Sequence, residues 1–240
     1  MLKLIEIDCF HNKFLYISIN FYIFQSMISY LFSNPLLFVI YMSSLLVAIT
    51  IHEFSHAWAA DYLGDPTPRL QGRLKLDPRV HIDNIGMLFL LFFGFGWGKP
   101  VQFDPYNLKN PRSDAAWISI AGPSSNLIMA ITLSLLIKLF IVLQLNFLTI
   151  IGSLIFVPLI RMNIILGIFN LLPIHPMDGF KIVEGILPEE KALEWKQLQR
   201  FGMIFLLLLI FPIGGRSMLD NILTPAVNFL FNLLVTGGVL

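Results

Sequence analysis

The sequence predicts an all-α polytopic membrane protein, with about five to six transmembrane or membrane-inserted helices and a short strand or loop region after the first strongly apolar one. Three observations predict it. The 240 residues are 56% hydrophobic and 13% charged, against a charged share of roughly a quarter in soluble domains. The apolar residues collect in runs that approach the roughly 20 needed to cross the hydrocarbon core. The bases fall in polar stretches that this topology puts on one side of the membrane.

The first run, Phe14 to Phe32, is weak, because Asn20 and Gln25 interrupt it. Residues 1–26 read as an N-terminal extension or an extra span, with no small-residue cleavage site evident, and residues 27–240 as a single membrane-embedded domain. Leu36 to Ala60 is a full span: Pro35 to Ile51 has no charged side chain, and Glu53 is the sole carboxylate through Ala60. The Pro- and Gly-rich stretch from Gly64 to Asp83 reads as loop and short strand. Ile85 to Phe95 is too short to cross and suits a partial insertion buried against protein. Ala115 to Leu143 and Leu148 to Leu172 make an outward and a returning span, and Phe201 to Ile213 and Ile222 to Leu240 supply two more. Between them, Glu189 to Arg200 sets Leu193, Trp195 and Leu198 among charges, as in a short interfacial helix.

Arg69, Arg73, Lys75, Arg79, Lys99, Lys109 and Arg112 lie between Asp65 and Asp114, and Lys181, Lys191, Lys196 and Arg200 lie between the later spans. The connection Gln144 to Phe147 has no base, so the positive-inside rule puts both basic segments in the cytoplasm. Trp58, Trp97, Trp117 and Trp195 fall near the proposed boundaries, where an aromatic belt belongs. A net charge of +1 with no packed basic run argues against nucleic acid as a partner; the bilayer is the expected one. The single cysteine, Cys9, excludes an internal disulfide and any multi-cysteine zinc site.

The chemistry lies in "HEFSH". His52 and His56 are four apart, so on a helix both imidazoles face one ion from the same side. In the HExxH arrangement Glu53 is not a ligand but the general base for a metal-bound water. The bland reading is a pair of imidazoles and a carboxylate satisfied inside a bundle, yet ionisable groups in spanning helices are rare and mark sites by default. A catalytic zinc needs a third protein ligand and an open position. Asp178, in "NLLPIHPMDGF", stands at the cytoplasmic end of the returning span, where Pro173, Pro176 and Gly179 break the helix; the alternative is that it only caps the next helix.

With these residues in place the chain resembles the site-2 protease family of intramembrane zinc metalloproteases, in the form of a short bacterial-type member without a PDZ insert. The resemblance runs from about Met27 to Ile213 and rests on "HEFSHAWAA", "GRLKLDPRVHID", "GFGWGKPVQFDPYNL", "AGPSSN" and "FNLLPIHPMDG". It implies His52, His56 and Asp178 as ligands of one Zn2+ per chain and Glu53 as the water-activating base. It further implies that Asn126 lies near the active site, where its amide would steady a substrate carbonyl or the developing oxyanion; packing through Gly122, Ser124 and Ser125 is the alternative. Two positions depart from the family: His175 stands where proline is usual, and Asn84 replaces a proline in "HIDNIG". His175 puts another possible nitrogen ligand within reach, but with the Asp-Gly pair intact it is read as a surface group or a support for the ligands, His81 as a loop histidine, and His11 as exposed.

The expected activity is hydrolysis of peptide bonds in or near transmembrane segments of membrane proteins, in regulated intramembrane proteolysis. Accessory membrane proteins are possible partners, and the expected location is a bacterial cell membrane with the active site toward the cytoplasm. Residues from Gly72 to Val80 would hold an unwound substrate as an added strand, or simply connect. The alternatives are a metal transporter, against which stands the lack of inverted repeats, and a non-catalytic scaffold that binds membrane proteins.

Overall fold

The computed structural model describes residues 31–93, 96–213 and 216–236. The weak N-terminal run, Cys9 and His11 fall outside these residues, apart from the last residues of that run.

Pro35 opens α1 (Pro35–Tyr62), where its missing N–H costs no helix bond, and Asn34 caps the turn by accepting from Leu37 N at 3.2 Å. Short helices α2 (Thr67–Leu70) and α3 (Pro78–His81) follow, then the apolar α4 (Asn84–Phe93). The two long helices α5 (Pro111–Val142) and α6 (Asn146–Asn170) come next. They are joined by a tight turn in which Gln144 takes φ 55°. Helices α7 (Asp178–Ile186), α8 (Glu189–Gln197) and α9 (Gln199–Ile210) lead through the two-residue strands β1 (Pro212–Ile213) and β2 (Arg216–Ser217) into α10 (Met218–Phe231), which continues as a π turn over Asn232–Thr236.

Among the described residues, four segments are long and apolar enough to cross a membrane: α1, α5, α6 and Met218–Val235. The Phe201 to Ile213 run forms only the 12-residue α9, about 18 Å long, because Pro212 begins the hairpin there. With α9 and α4 as shorter inserted helices, the chain is an all-α integral membrane protein.

The bundle closes on apolar clusters that join its helices. Ala130, Leu133 and Ile137 of α5 meet Ile160 and Ile164 of α6 and Val227 and Phe231 of α10. Tyr41 and Ala48 of α1 meet Met162 of α6. Gly167 lets α6 approach Pro123 of α5, since a Cβ there would lie 3.3 Å from the Pro123 carbonyl oxygen. Small residues allow such approach where lipid supplies no hydrophobic drive between helices.

The stretch after α1 differs from the sequence reading. No strand forms from Gly72 to Val80: Asp77 caps α3 by accepting from Arg79 N at 3.0 Å, and Pro78 sits at its first turn. Pairing is confined to one antiparallel bridge, Ile82 with Gly98, extended by Lys99 N donating to His81 O at 2.8 Å. His81 is fully buried rather than a loose loop residue, with its Nε2 at 2.7 Å from the Lys75 carbonyl oxygen. Burial, joined by the nearby Arg73 charge, pushes its pKa down, which favours the neutral ring. Trp58, Trp97 and Trp117 are exposed, whereas Trp195 stacks on Phe180 and donates its indole N–H to Phe180 O at 3.0 Å.

Candidate metal centre

Helical spacing on α1 puts His52 and His56 one turn apart, both buried, with ring centroids 4.6 Å apart. Each ring is oriented from behind. His56 Nδ1 lies 2.7 Å from the Ile118 carbonyl oxygen, one residue before the carbonyl that Pro123 deprives of its helix partner. His52 Nδ1 lies 2.6 Å from Asn126 Oδ1. Carbonyl oxygens accept only, so Nδ1 carries the proton in both rings and Nε2 presents its lone pair.

The Asn126 amide is fixed by its other side. Its nitrogen donates to Ala48 O at 3.0 Å and to Asn163 Oδ1 at 2.8 Å, and Asn163 in turn donates to Leu159 O at 2.8 Å. Both Asn126 hydrogens are therefore spent inside the bundle. The expected contact of this amide with a substrate carbonyl is not available in this arrangement, and Asn126 stands behind His52.

Asp178 begins α7. Gly179 makes this possible, because a Cβ there would run into the carbonyl oxygens of Leu171 and Leu172. Asp178 Oδ2 lies 3.1 Å from His52 Nε2 and 3.1 Å from His56 Nε2, and the two nitrogens are 3.0 Å apart. Three ligand atoms of a tetrahedral zinc, bonded at about 2.0–2.1 Å, stand about 3.3–3.4 Å from one another. The fit is close. Three unprotonated acceptors this near repel unless a cation lies among them, and the set of two imidazoles and a carboxylate suits zinc. His52, His56 and Asp178 can hold one metal ion.

The three residues line a cavity of about 240 Å³ walled by α1, α4, α5, the end of α6, the 96–103 segment and the start of α7. Glu53 faces the same cavity, and its Oε2 accepts from Val101 N at 3.2 Å. The wall that supplies Val101 is pinned by Arg73, a buried guanidinium that donates to both the Val80 and Lys99 carbonyls. Gly98 packs against Ile49 and would bring a Cβ within 3.5 Å of Glu53 Oε1.

In the sequence Arg73 marks only topology and Gly122 only close packing, whereas the structure brings both to the site. A Cβ on Gly122 would overlap His56 Nε2 and lie 2.7 Å from His52 Cε1. Asn163 carried a signal, as an amide deep in a span, but not its partner. His175 is not among the residues that line the cavity, and its ring lies against Phe180 at 5.7 Å between centroids. Burial and the Lys181 charge push its pKa down.

The peptidase family M50 model matches residues 141–210. The candidate zinc metalloprotease YwhC of Bacillus subtilis is 37% identical over 176 residues, which cover 72% of this chain and 80% of YwhC. The similarly named Rip2 of Mycobacterium tuberculosis is 30% identical over 72% of this chain and 66% of its own length. The zinc metalloprotease MJ0392 of Methanocaldococcus jannaschii is 27% identical over 66% of this chain and 37% of its own. No solved structure gives a significant match. A relative so similar over most of both chains, and two imidazoles converging with a carboxylate in the membrane bundle, lead to one conclusion: the chain belongs to peptidase family M50, the site-2 protease family, and is a zinc metalloprotease.

Proposed function

We propose that this protein is an intramembrane endopeptidase that cuts membrane proteins in or near their transmembrane segments, from an active site on the cytoplasmic side of a bacterial cell membrane. In this reading His52, His56 and Asp178 hold the zinc, Glu53 is the general base, and Asn126 positions His52. The observation that carries it is the meeting of three metal-ligand atoms with Glu53 in one cavity at the end of a spanning helix. Bound zinc supplies a Lewis acid that polarises a carbonyl and lowers the pKa of water. Glu53 takes the water proton at a carboxylate oxygen and later passes it toward the leaving amine. The Ile118 and Asn126 acceptors keep both imidazoles in the tautomer a metal needs. The protein walls around the cavity allow a locally unwound peptide to meet water away from lipid. The excess of bases on the two loops beside the site supports the cytoplasmic placing.

Glu53→Gln tests the reading, since it removes the base and leaves the donors. The variant is expected to keep about one zinc per chain, to lose cleavage by at least a thousandfold, and to retain uncut membrane proteins on copurification from the native membrane. Zinc movement across vesicles that depends on this chain, with no protein cut by the parent, would replace the protease with a transporter.

A further inference from the structure

Lys181 lines the catalytic cavity, yet it has no part in holding the metal or activating water. It sits three residues after Asp178 on α7, which puts both on one helix face. Its ammonium stands over the Phe103 ring, 4.9 Å from the centroid, and Phe103 is anchored among Ala59, Ala60, Leu108 and Ile118. That contact spans the cavity from α7 to the 96–103 wall and sets the charge at the cavity's edge, on a residue that stays exposed. Among the described residues no carboxylate forms a salt bridge with Lys181. The rest of the lining is largely apolar, Leu45, Ile49, Met87, Leu90 and Leu166 among it. Glu53 and Asp178 share the cavity but are taken up by Val101 N and by the metal-ligand cluster, so a carboxylate brought by the ligand is a natural complement for this cation.

We propose that Lys181 is a specificity residue that recognises a carboxylate on the substrate close to the bond being cut, so that the enzyme prefers an acidic group there to a neutral or basic one. The carboxylate is either an Asp or Glu side chain or the free C-terminus of a chain already trimmed near the membrane. This rests on the endopeptidase reading, but its test does not depend on turnover.

Binding is measured on zinc-loaded Glu53→Gln protein in detergent, by fluorescence anisotropy of labelled synthetic peptides. The probes are Leu- and Ala-rich single-span peptides with an Asn-Pro pair near one end, identical except for Glu, Gln or Lys scanned through the residues beside that pair. A shortened peptide ending at the same place is made as the free acid and as the amide. With Lys181 present, the Glu peptide or the free acid is expected to bind about tenfold more tightly than its neutral counterpart. Lys181→Met, which keeps a side chain of similar length and removes the charge, should erase the difference; Lys181→Arg should keep it; Lys181→Glu should transfer the preference to the Lys peptide. A gain confined to the free acid identifies a chain terminus as the ligand, and a gain confined to Glu identifies a side chain. Equal affinity across the probes, measurable or not, overturns the proposal, as does equal weakening of all of them by Lys181→Met, the mark of a merely structural strut. Loss of zinc or cleavage in the parent protein would instead strike at the endopeptidase reading.

Discussion

Two aspartates are drawn into the protein and sit among opposite neighbours. Asp65, fully buried after α1, accepts from Thr67 N at 3.1 Å, Thr67 Oγ1 at 2.6 Å, Asn107 Nδ2 at 2.8 Å and Asp104 N at 2.7 Å. Asp178 faces two imidazole nitrogens whose protons are spent elsewhere. A carboxylate ringed by donors is complete and ties loops together. One ringed by acceptors is incomplete until a cation arrives. Sequence context is similar in kind, each residue standing beside a helix end near Pro and Gly, and although Asp65 is fully buried and Asp178 partly so, it is the partners that separate a structural node from a metal site.

The comparison breaks if the two aspartates fail in the same way. Asp178→Ala is expected to lose bound zinc and at least a thousandfold of cleavage while the bundle still folds. Asp65→Ala should keep zinc at one per chain and lose about 3 kcal/mol of stability, since several buried donors lose their acceptor. Elemental analysis beside chemical denaturation in detergent reads both; zinc loss confined to Asp65→Ala would reverse the assignment.

A smaller effect sharpens the acceptor side of the contrast. Asn126→Ala removes the acceptor behind His52 and should weaken zinc binding by 10- to 100-fold, measured by competition with a chelator. Asn126→Asp restores an acceptor and should recover part of it. Equal loss in both variants would mean that the amide hydrogens to Ala48 and Asn163 matter more than the His52 bond.

The smallest effect concerns the donor side. Burial acts to raise the Asp65 carboxyl, but the Thr67, Asn107 and Asp104 donors outweigh it and hold the pKa below its ordinary value. A lowered folded pKa gives stability that is present above the unfolded value and lost as pH falls through the folded one. The advantage of the parent over Asp65→Asn should therefore be constant from pH 7 to pH 5 and shrink below about pH 4. Denaturation curves showing an advantage that grows on acidification would contradict the donor assignment.

What could be read in advance follows range of interaction. His52, Glu53 and His56 were legible because four residues make one helical turn, and Asp178 because topology and a broken helix put it on the right side. The four spans follow from apolar length, whereas the shortness of α9 turns on Pro212 opening a hairpin. The Gly72 to Val80 segment has strand-like composition, but the Asp77 cap and Pro78 decide locally for a helical turn. Asn126 is placed near the site by the family resemblance alone, while Arg73, Gly122 and the bond from Asn126 to Asn163 are not legible as parts of it, because each acts through a neighbour far along the chain. His81 looked like a loop residue for the same reason: its burial depends on the segment that carries Lys99.

Gly122 gives the site a boundary made of nothing. The place a methyl group would take is where the two imidazoles meet, so the centre is shaped by an unfilled outline as much as by its donor atoms. Glycine and alanine codons differ by one base, and that step would leave "HEFSH" and "MDG" untouched while closing the room they share. A relative bearing alanine at this place would pass any inspection of its ligands and still be silent; for telling working members of the lineage from retired ones, the residue to inspect first is the one with no side chain.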